Sequence, residues 1–220
     1  MGGGGNIPSF DMANSIDICN LALSLLGEEP SIVSIDPPDG SDNAGHCQRF
    51  YPLAVRKLHE EFDWSFAQKR VKLSELNYDT EKWGVKHVYA LPSDCVRIVK
   101  VYVPDEHWYT PIDSTEWRVE YNEQNSSRMI LTDVDGAYVH YTALVSSAAI
   151  YPTYFVEALT ILLAAYLVGP VKRESQASQQ VNGILQRYAQ ALSAAKSIDS
   201  QATGKVVTKY IPSSIRSRWG

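Results

Sequence analysis

The side chains best equipped to bind a metal or to attack a carbonyl are His46-Cys47, His59, His87, Cys95 and His107. Zinc ligands come in short fixed spacings such as C-x-x-C or H-x-x-x-H, and no such pair occurs among these residues. A cysteine and a histidine can meet in space as nucleophile and base without being neighbours in sequence. Cys47, however, falls on an apolar helical stripe where a thiolate is disfavoured, so it reads as structural. Ser193-Ala-Ala-Lys196 matches the S-x-x-K pattern of serine acyl-enzymes, but the accompanying S-D-N and K-T-G words are missing. Gly204-Lys205 looks like the end of a phosphate loop, but Asp199 stands where that motif needs glycine. Glu60-Glu61 and Asp133/Asp135 have the chemistry of a glycosidase acid and nucleophile, though adjacent acids more often form a solvated face. Catalytic residues, a metal and a cofactor are therefore not expected.

Aromatic side chains are the other chemical resource. Trp83, Tyr89, Trp108, Tyr109, Trp117 and Tyr121 come from one stretch of sequence, which suits a sheet core or a protein interface. Single-strand nucleic-acid binding would need interleaved Lys and Arg, which the linear sequence does not show. The net charge of -5 over 220 residues likewise argues against a protein that holds nucleic acid by neutralising phosphates. The charge is unevenly spread. No Lys or Arg occurs up to Gln48, against the acids Asp11, Asp17, Glu28, Glu29, Asp36, Asp39 and Asp42, whereas Lys205, Lys209, Arg216 and Arg218 lie in a tail without acids. Such asymmetry suggests two ends that meet different surroundings.

The elements that must position these groups follow from periodicity. A chain of this length with 45% hydrophobic residues can bury about 70% of its unfolded surface. The nearly uncharged run Ala158 to Gly169 is shorter than the roughly 18 residues of a membrane span, so no membrane anchor is expected. The glycine-rich start, residues 1–13, has no periodicity and reads as a leader behind which Met12-Ala13-Asn14-Ser15 resembles a native start. It lacks the regions of a secretory signal, and a reducing cytoplasm with free thiols is expected. Asn14 or Ser15 caps a first helix whose Ile18, Leu21, Ala22 and Leu25 share a face, with Gly27 and Pro30 as the stop. In a second helix Cys47, Tyr51, Ala54, Val55, Leu58 and Phe62 keep helical spacing, and Pro52 predicts a kink or a start at that point.

From Phe66 to about Val145 the period changes to two. Trp117, Val119 and Tyr121 alternate with Arg118, Glu120 and Asn122, and Ala137, Val139 and Tyr141 with Tyr138, His140 and Thr142. Val96 to Val103 is a more continuous apolar run, and Asp133-Val-Asp-Gly136 a turn. Pro152 then opens a helix over Thr153 to Val168, apolar nearly all round and ended by Gly169-Pro170, which must be central to a core or to an oligomer. Ala177, Val181, Ile184, Leu185, Tyr188 and Leu192 form the stripe of a last helix ending near Ile198. The expected fold class is α+β. A bundle of about four helices (14–65 and 150–200) carries an inserted small antiparallel β domain (66–149) and ends in an extended arm (201–220).

Three segments together resemble the phage head-to-tail adaptor family, known in podoviruses as tail tubular protein A. They are Asn20-Leu-Ala-Leu-Ser-Leu-Leu-Gly-Glu-Glu-Pro30, then Tyr51-Pro-Leu-Ala-Val-Arg56 with Trp64-Ser-Phe-Ala67, and Tyr89-Ala-Leu-Pro-Ser-Asp94 with Arg97. The pattern continues through Tyr154-Phe-Val-Glu-Ala-Leu159, so it spans roughly Ser15 to Ser200. The resemblance implies a virion protein at the head-tail junction, assembled in the host cytoplasm. It would form a dodecameric homo-oligomer that binds the portal protein above and a tail nozzle or tube protein below. Genomic DNA would pass through its lumen without specific binding. A polysaccharide hydrolase of the tail is the alternative, and a tail-fibre or chaperone-like interaction module a third class.

Within that reading, the helix with Tyr154, Leu159, Leu162, Leu163 and Tyr166 is expected to pack subunits together, being too apolar for water. The loop with Trp108 and Tyr109 is expected to contact a neighbour or the tail. The arm, with Lys205, Val207, Lys209, Tyr210, Ile211, Arg216, Arg218 and Trp219, is expected to bind the portal through apolar anchors and complementary charge.

Overall fold

A computed structural model of the protein describes residues 14–78, 84–105, 108–111, 116–122, 127–172 and 174–202; the side chains of 104, 105, 108–111, 174–179 and 202 are not among the groups described. The expected leader over 1–13 and the arm from 203 onward lie outside the described residues. The fold is α+β, with four α-helices and two antiparallel four-stranded sheets among the described residues.

Helix α1, Ser15–Leu25, opens on a reciprocal cap. The Asp17 amide donates to Asn14 Oδ1 at 2.9 Å and the Asn14 amide to Asp17 Oδ2 at 3.2 Å. Its buried face is Ile18, Cys19, Ala22 and Leu23, continued by Leu26, whereas Leu21 and Leu25 are exposed. The expected stripe is thus rotated by one residue. Leucines at 21, 23, 25 and 26 make this helix apolar on several faces, so its neighbours rather than its period choose the inner one. Helix α2, Asp42–Glu60, starts at the Ser41 cap and runs through Pro52, contrary to a start at that residue. Pro52 sits on the exposed side, where water can satisfy the Gln48 carbonyl that it leaves unpaired.

The β region is two sheets rather than one. Strands β1 (Gln68–Lys72), β4 (Cys95–Asp105), β5 (Trp108–Pro111) and β8 (Tyr138–Ala143) form the first, in the order β1-β8-β4-β5. Strands β2 (Ser74–Glu75), β3 (His87–Ala90), β6 (Trp117–Asn122) and β7 (Ser127–Thr132) form the second, in the order β2-β3-β7-β6. Val101, Val139 and Tyr141 of the first sheet share one buried cluster with Tyr89 and Ile130 of the second, so the sheets pack face to face. β8 is buried on both sides, His140 and Thr142 included, and on its outer side the Thr142 hydroxyl meets Asp63, just after α2. In the edge strand β6 the expected inner set is only partly covered: Val119 and Tyr121 are exposed, and the buried residue is Asn122, which donates to Tyr78 Oη.

Helix α3, Thr153–Val171, passes through Gly169-Pro170 instead of ending there. By length and composition it could cross a membrane, yet it is the centre of this chain's own core. Helix α4, Glu174–Ala202, packs along it through Ile184 and Ala195, with Val181, Tyr188 and Leu192 half-buried and Leu185 exposed. One cluster of buried residues therefore joins α1, α2, α3 and α4.

Candidate functional site

Several of the residues that carry the family resemblance, Trp64, Ser65, Phe66, Asp94, Arg97, Tyr154 and Phe155, lie at the joint between helices and sheets. Trp64, fully buried after α2, donates its indole N-H to the Leu58 carbonyl at 2.7 Å. Its ring meets Phe155 edge-on at 5.2 Å and stacks on Tyr154 at 6.2 Å. Phe66 packs on Phe155 at 4.9 Å and His59 on the same ring at 5.0 Å. Below this aromatic knot, Asp199 of α4 is wholly buried and accepts from the Ser65 amide at 2.9 Å, the Ser65 hydroxyl at 2.8 Å and the Tyr154 hydroxyl at 2.6 Å. A loop after α2, the start of α3 and the end of α4 are thereby tied at one carboxylate.

The sheet side of the joint is ionic. Arg97 of β4 meets Asp63 at 3.2 Å, and the Thr142 hydroxyl donates to the same carboxylate at 3.4 Å. Asp94 takes Lys69 at 2.6 Å and the Tyr141 hydroxyl at 2.9 Å. Partial burial pushes the Asp94 carboxyl up, but the hydrogen bonds from Lys69 and Tyr141 outweigh it and hold the group below its ordinary value. His59 is held neutral chiefly by burial, with Nδ1-H donating to the Val55 carbonyl at 2.8 Å and Nε2 accepting from the Val145 amide at 3.4 Å.

Trp64, Ser65, Asp94 and Arg97 stand in the words that carry the resemblance, whereas Asp63 and Asp199 stand in none of them. Ser65 and Asp199 lie 134 residues apart, and no local pattern joins them.

The other expected sites fare unevenly. Of the residues expected to pack subunits together, Leu159, Leu162 and Leu163 of α3 are buried inside this chain's own core. Tyr154 is held by Asp199, and Tyr166 lies half-buried with its ring 6.2 Å from Phe50. Trp108 and Tyr109 belong to β5, paired with Asp105 and Pro104 of β4, rather than to a loop. The arm residues Lys205 to Trp219 lie outside the described residues.

Glu60 pairs with Arg56 at 3.0 Å, and Glu61 with Lys57 at 2.8 Å and Lys196 at 3.7 Å. Lys57 holds the Glu61 carboxyl low, the opposite of a general acid. Asp133 accepts from the Lys86 amide at 2.9 Å. Near it Glu75, His87 and Asp135 gather, with His87 Nδ1 2.7 Å from Glu75 Oε1, on a largely exposed edge. The cysteines are free and buried. The hydrogen bond between the Cys19 and Cys47 thiols, together with burial, raises the pKa of Cys19, and the same bond lowers that of Cys47 against its burial, contrary to the expectation from its apolar stripe; burial pushes Cys95 up to about 11. An apolar groove of about 520 Å³ runs between α1, α3 and α4 beside the exposed Leu21 and Leu25, with Glu157 and Arg187 in its lining.

No family model matches the chain, and no curated protein matches it. Among solved structures it is similar to one described as "Neck of empty GTA particle computed with C6 symmetry", with 13% identity, a TM-score of 0.28, and coverage of 77% of this chain and 87% of that one. A TM-score that low carries no structural or functional argument.

Proposed function

We propose that this chain is a structural virion protein, the ring adaptor between a phage portal and its tail, and that it works by holding shape rather than by catalysis. The observation that supports this reading is the joint itself. Two of the three segments that resemble the adaptor family, far apart in sequence, meet at this joint, with Trp64 and Ser65 on its helical side and Asp94 and Arg97 on its sheet side. A connector must transmit load between a helical part and a β part, and dense aromatic packing with a buried carboxylate suits that task.

In this proposal twelve copies close head to tail, the portal lies above and a tail nozzle or tube protein below, and genomic DNA traverses the lumen. The arm from Lys205 to Trp219 attaches to the portal. The hydrolase alternative would require two converging carboxylates, one of them kept protonated. Glu60 and Glu61 instead point to cations as a solvated helix face does. Mass photometry and negative-stain imaging of the chain mixed with its portal test the proposal. About twelve copies per portal, arranged as a ring, is the expected result; one or two copies would overturn it.

A further inference from the structure

The first sheet hides a basic face that the linear sequence does not display. Residues of β8 alternate: Val139 and Tyr141 point to the second sheet, and Tyr138, His140 and Thr142 to the opposite side. Across the strands, Arg70 of β1 and Lys100 of β4 both pair with His140, Lys72 pairs with Tyr138, and Arg97 with Thr142. Four cations thus lie on one face of three adjacent strands. Two register shifts in β4 produce this. One between Cys95 and Arg97 sets Arg97 instead of Val96 opposite Thr142, and one between Ile98 and Lys100 sets Lys100 instead of Val99 opposite His140. Each bulge exchanges an outward valine for a cation.

Arg70, Lys72 and Lys100 make no ion pair among the described residues, and Arg97 shares Asp63. Lys100 Nζ instead lies 5.5 Å over the Tyr102 ring. His140, 7% exposed, has no hydrogen-bond partner on either ring nitrogen among the described residues, and burial together with Arg70 and Lys100 lowers its pKa. A face that keeps unpaired cations side by side against mutual repulsion is built for an anion.

We infer that this outer face of the β1-β8-β4 sheet binds the phosphate backbone of duplex DNA. Arg70 and Lys100 stand two strand spacings apart, about 10 Å, and Arg70 and Lys72 about 7 Å apart along one strand. The cations thus form a row across three strands, which a small anion would occupy at one point and a polymer with charges at regular intervals along its length. The aromatic rings here give bases no platform, since Tyr102 is buried and stacked on Tyr138 at 5.7 Å. The contact is therefore with phosphates, independent of sequence. A single chain suffices for it, so its failure would leave the ring adaptor reading untouched.

Fluorescence anisotropy of the full chain with a labelled 20-base-pair duplex, titrated across salt, tests the inference. Binding is expected to weaken with a log-log salt slope of about -3, as three neutralised phosphates require. Arg70→Gln/Lys72→Gln/Lys100→Gln should flatten that slope and weaken binding about tenfold or more at low salt. Arg56→Gln/Lys57→Gln/Lys196→Gln, which changes the net charge equally on the helical side, should leave both unchanged. The face is not a DNA site if wild-type protein shows no salt-dependent binding, or if the two triple variants behave alike while circular dichroism shows both folded. Competition by polyglutamate as strong as by unlabelled duplex would reassign it to an acidic protein surface.

Discussion

His59 shows how one side chain can set a solution property. Both of its ring nitrogens are committed, one donating to Val55 and the other accepting from Val145, and that pattern exists only in the neutral imidazole. Its folded pKa lies below the ordinary 6.5, as does that of His140. The unfolded chain therefore binds more protons than the folded one once the pH falls below about 6.5, and folding stability is full above that value and declines beneath it. Urea midpoints measured between pH 7.5 and 4.5 should fall over this range, before the depressed carboxyls Asp94 and Glu61 titrate. The double variant His59→Gln/His140→Gln, which cannot be protonated at these sites, should flatten the decline. An equally steep decline in that variant would assign it to other groups. The sequence reading took Cys47 correctly as part of a buried stripe, whereas His59 and His140 carried no signal, because what makes them unusual is the packing around them.

At the scale of elements, Asp199 links three of them, and its removal leaves the Ser65 amide and the Tyr154 hydroxyl without an acceptor. Asp199→Ala should destabilise the fold by about 3 kcal/mol, the usual cost of orphaning buried donors of a charged group. Hydrogen exchange should show the last turns of α4 opening first, and an unchanged urea midpoint would remove Asp199 from the joint. Periodicity found all four helices and the β region, since long amphipathic or alternating runs survive any tertiary context. It failed where two answers fit the same residues. α1 has leucines on more than one face, Pro52 and Pro170 break single hydrogen bonds without breaking their helices, and the run Val96 to Val103 conceals two bulges that only strand register reveals. The joint was half legible for the same reason: Trp64 and Arg97 stand in recognisable words, but Ser65 and Asp199 meet only after folding.

For the whole molecule, α3 is the element that bears on assembly. Most of its apolar surface is covered by α1, α2 and α4 within one chain, so a folded monomer is expected before any ring forms. Assembly then needs a separate handle. Under the proposed function, portal attachment through the arm is that handle: in its sequence Val207, Tyr210, Ile211 and Trp219 offer apolar anchors, and Lys205, Lys209, Arg216 and Arg218 a charge opposite to that of the acidic first 48 residues. Fully extended, 18 residues reach about 60 Å, enough to pass from one protein to the next. Ordering such a segment costs entropy, so the anchors should decide affinity and the charges mostly the association rate and its salt dependence. Because the core cluster is complete by Ala195, a chain ending at Ala202 should melt and give circular dichroism like the full one, yet fail to bind the portal. Tyr210→Ala/Trp219→Ala should reproduce most of that loss, and Lys205→Gln/Lys209→Gln only a slower association at low salt. Undiminished portal affinity of the truncated chain would move the attachment into the helices, with the groove beside Leu21 and Leu25 as the first place to look.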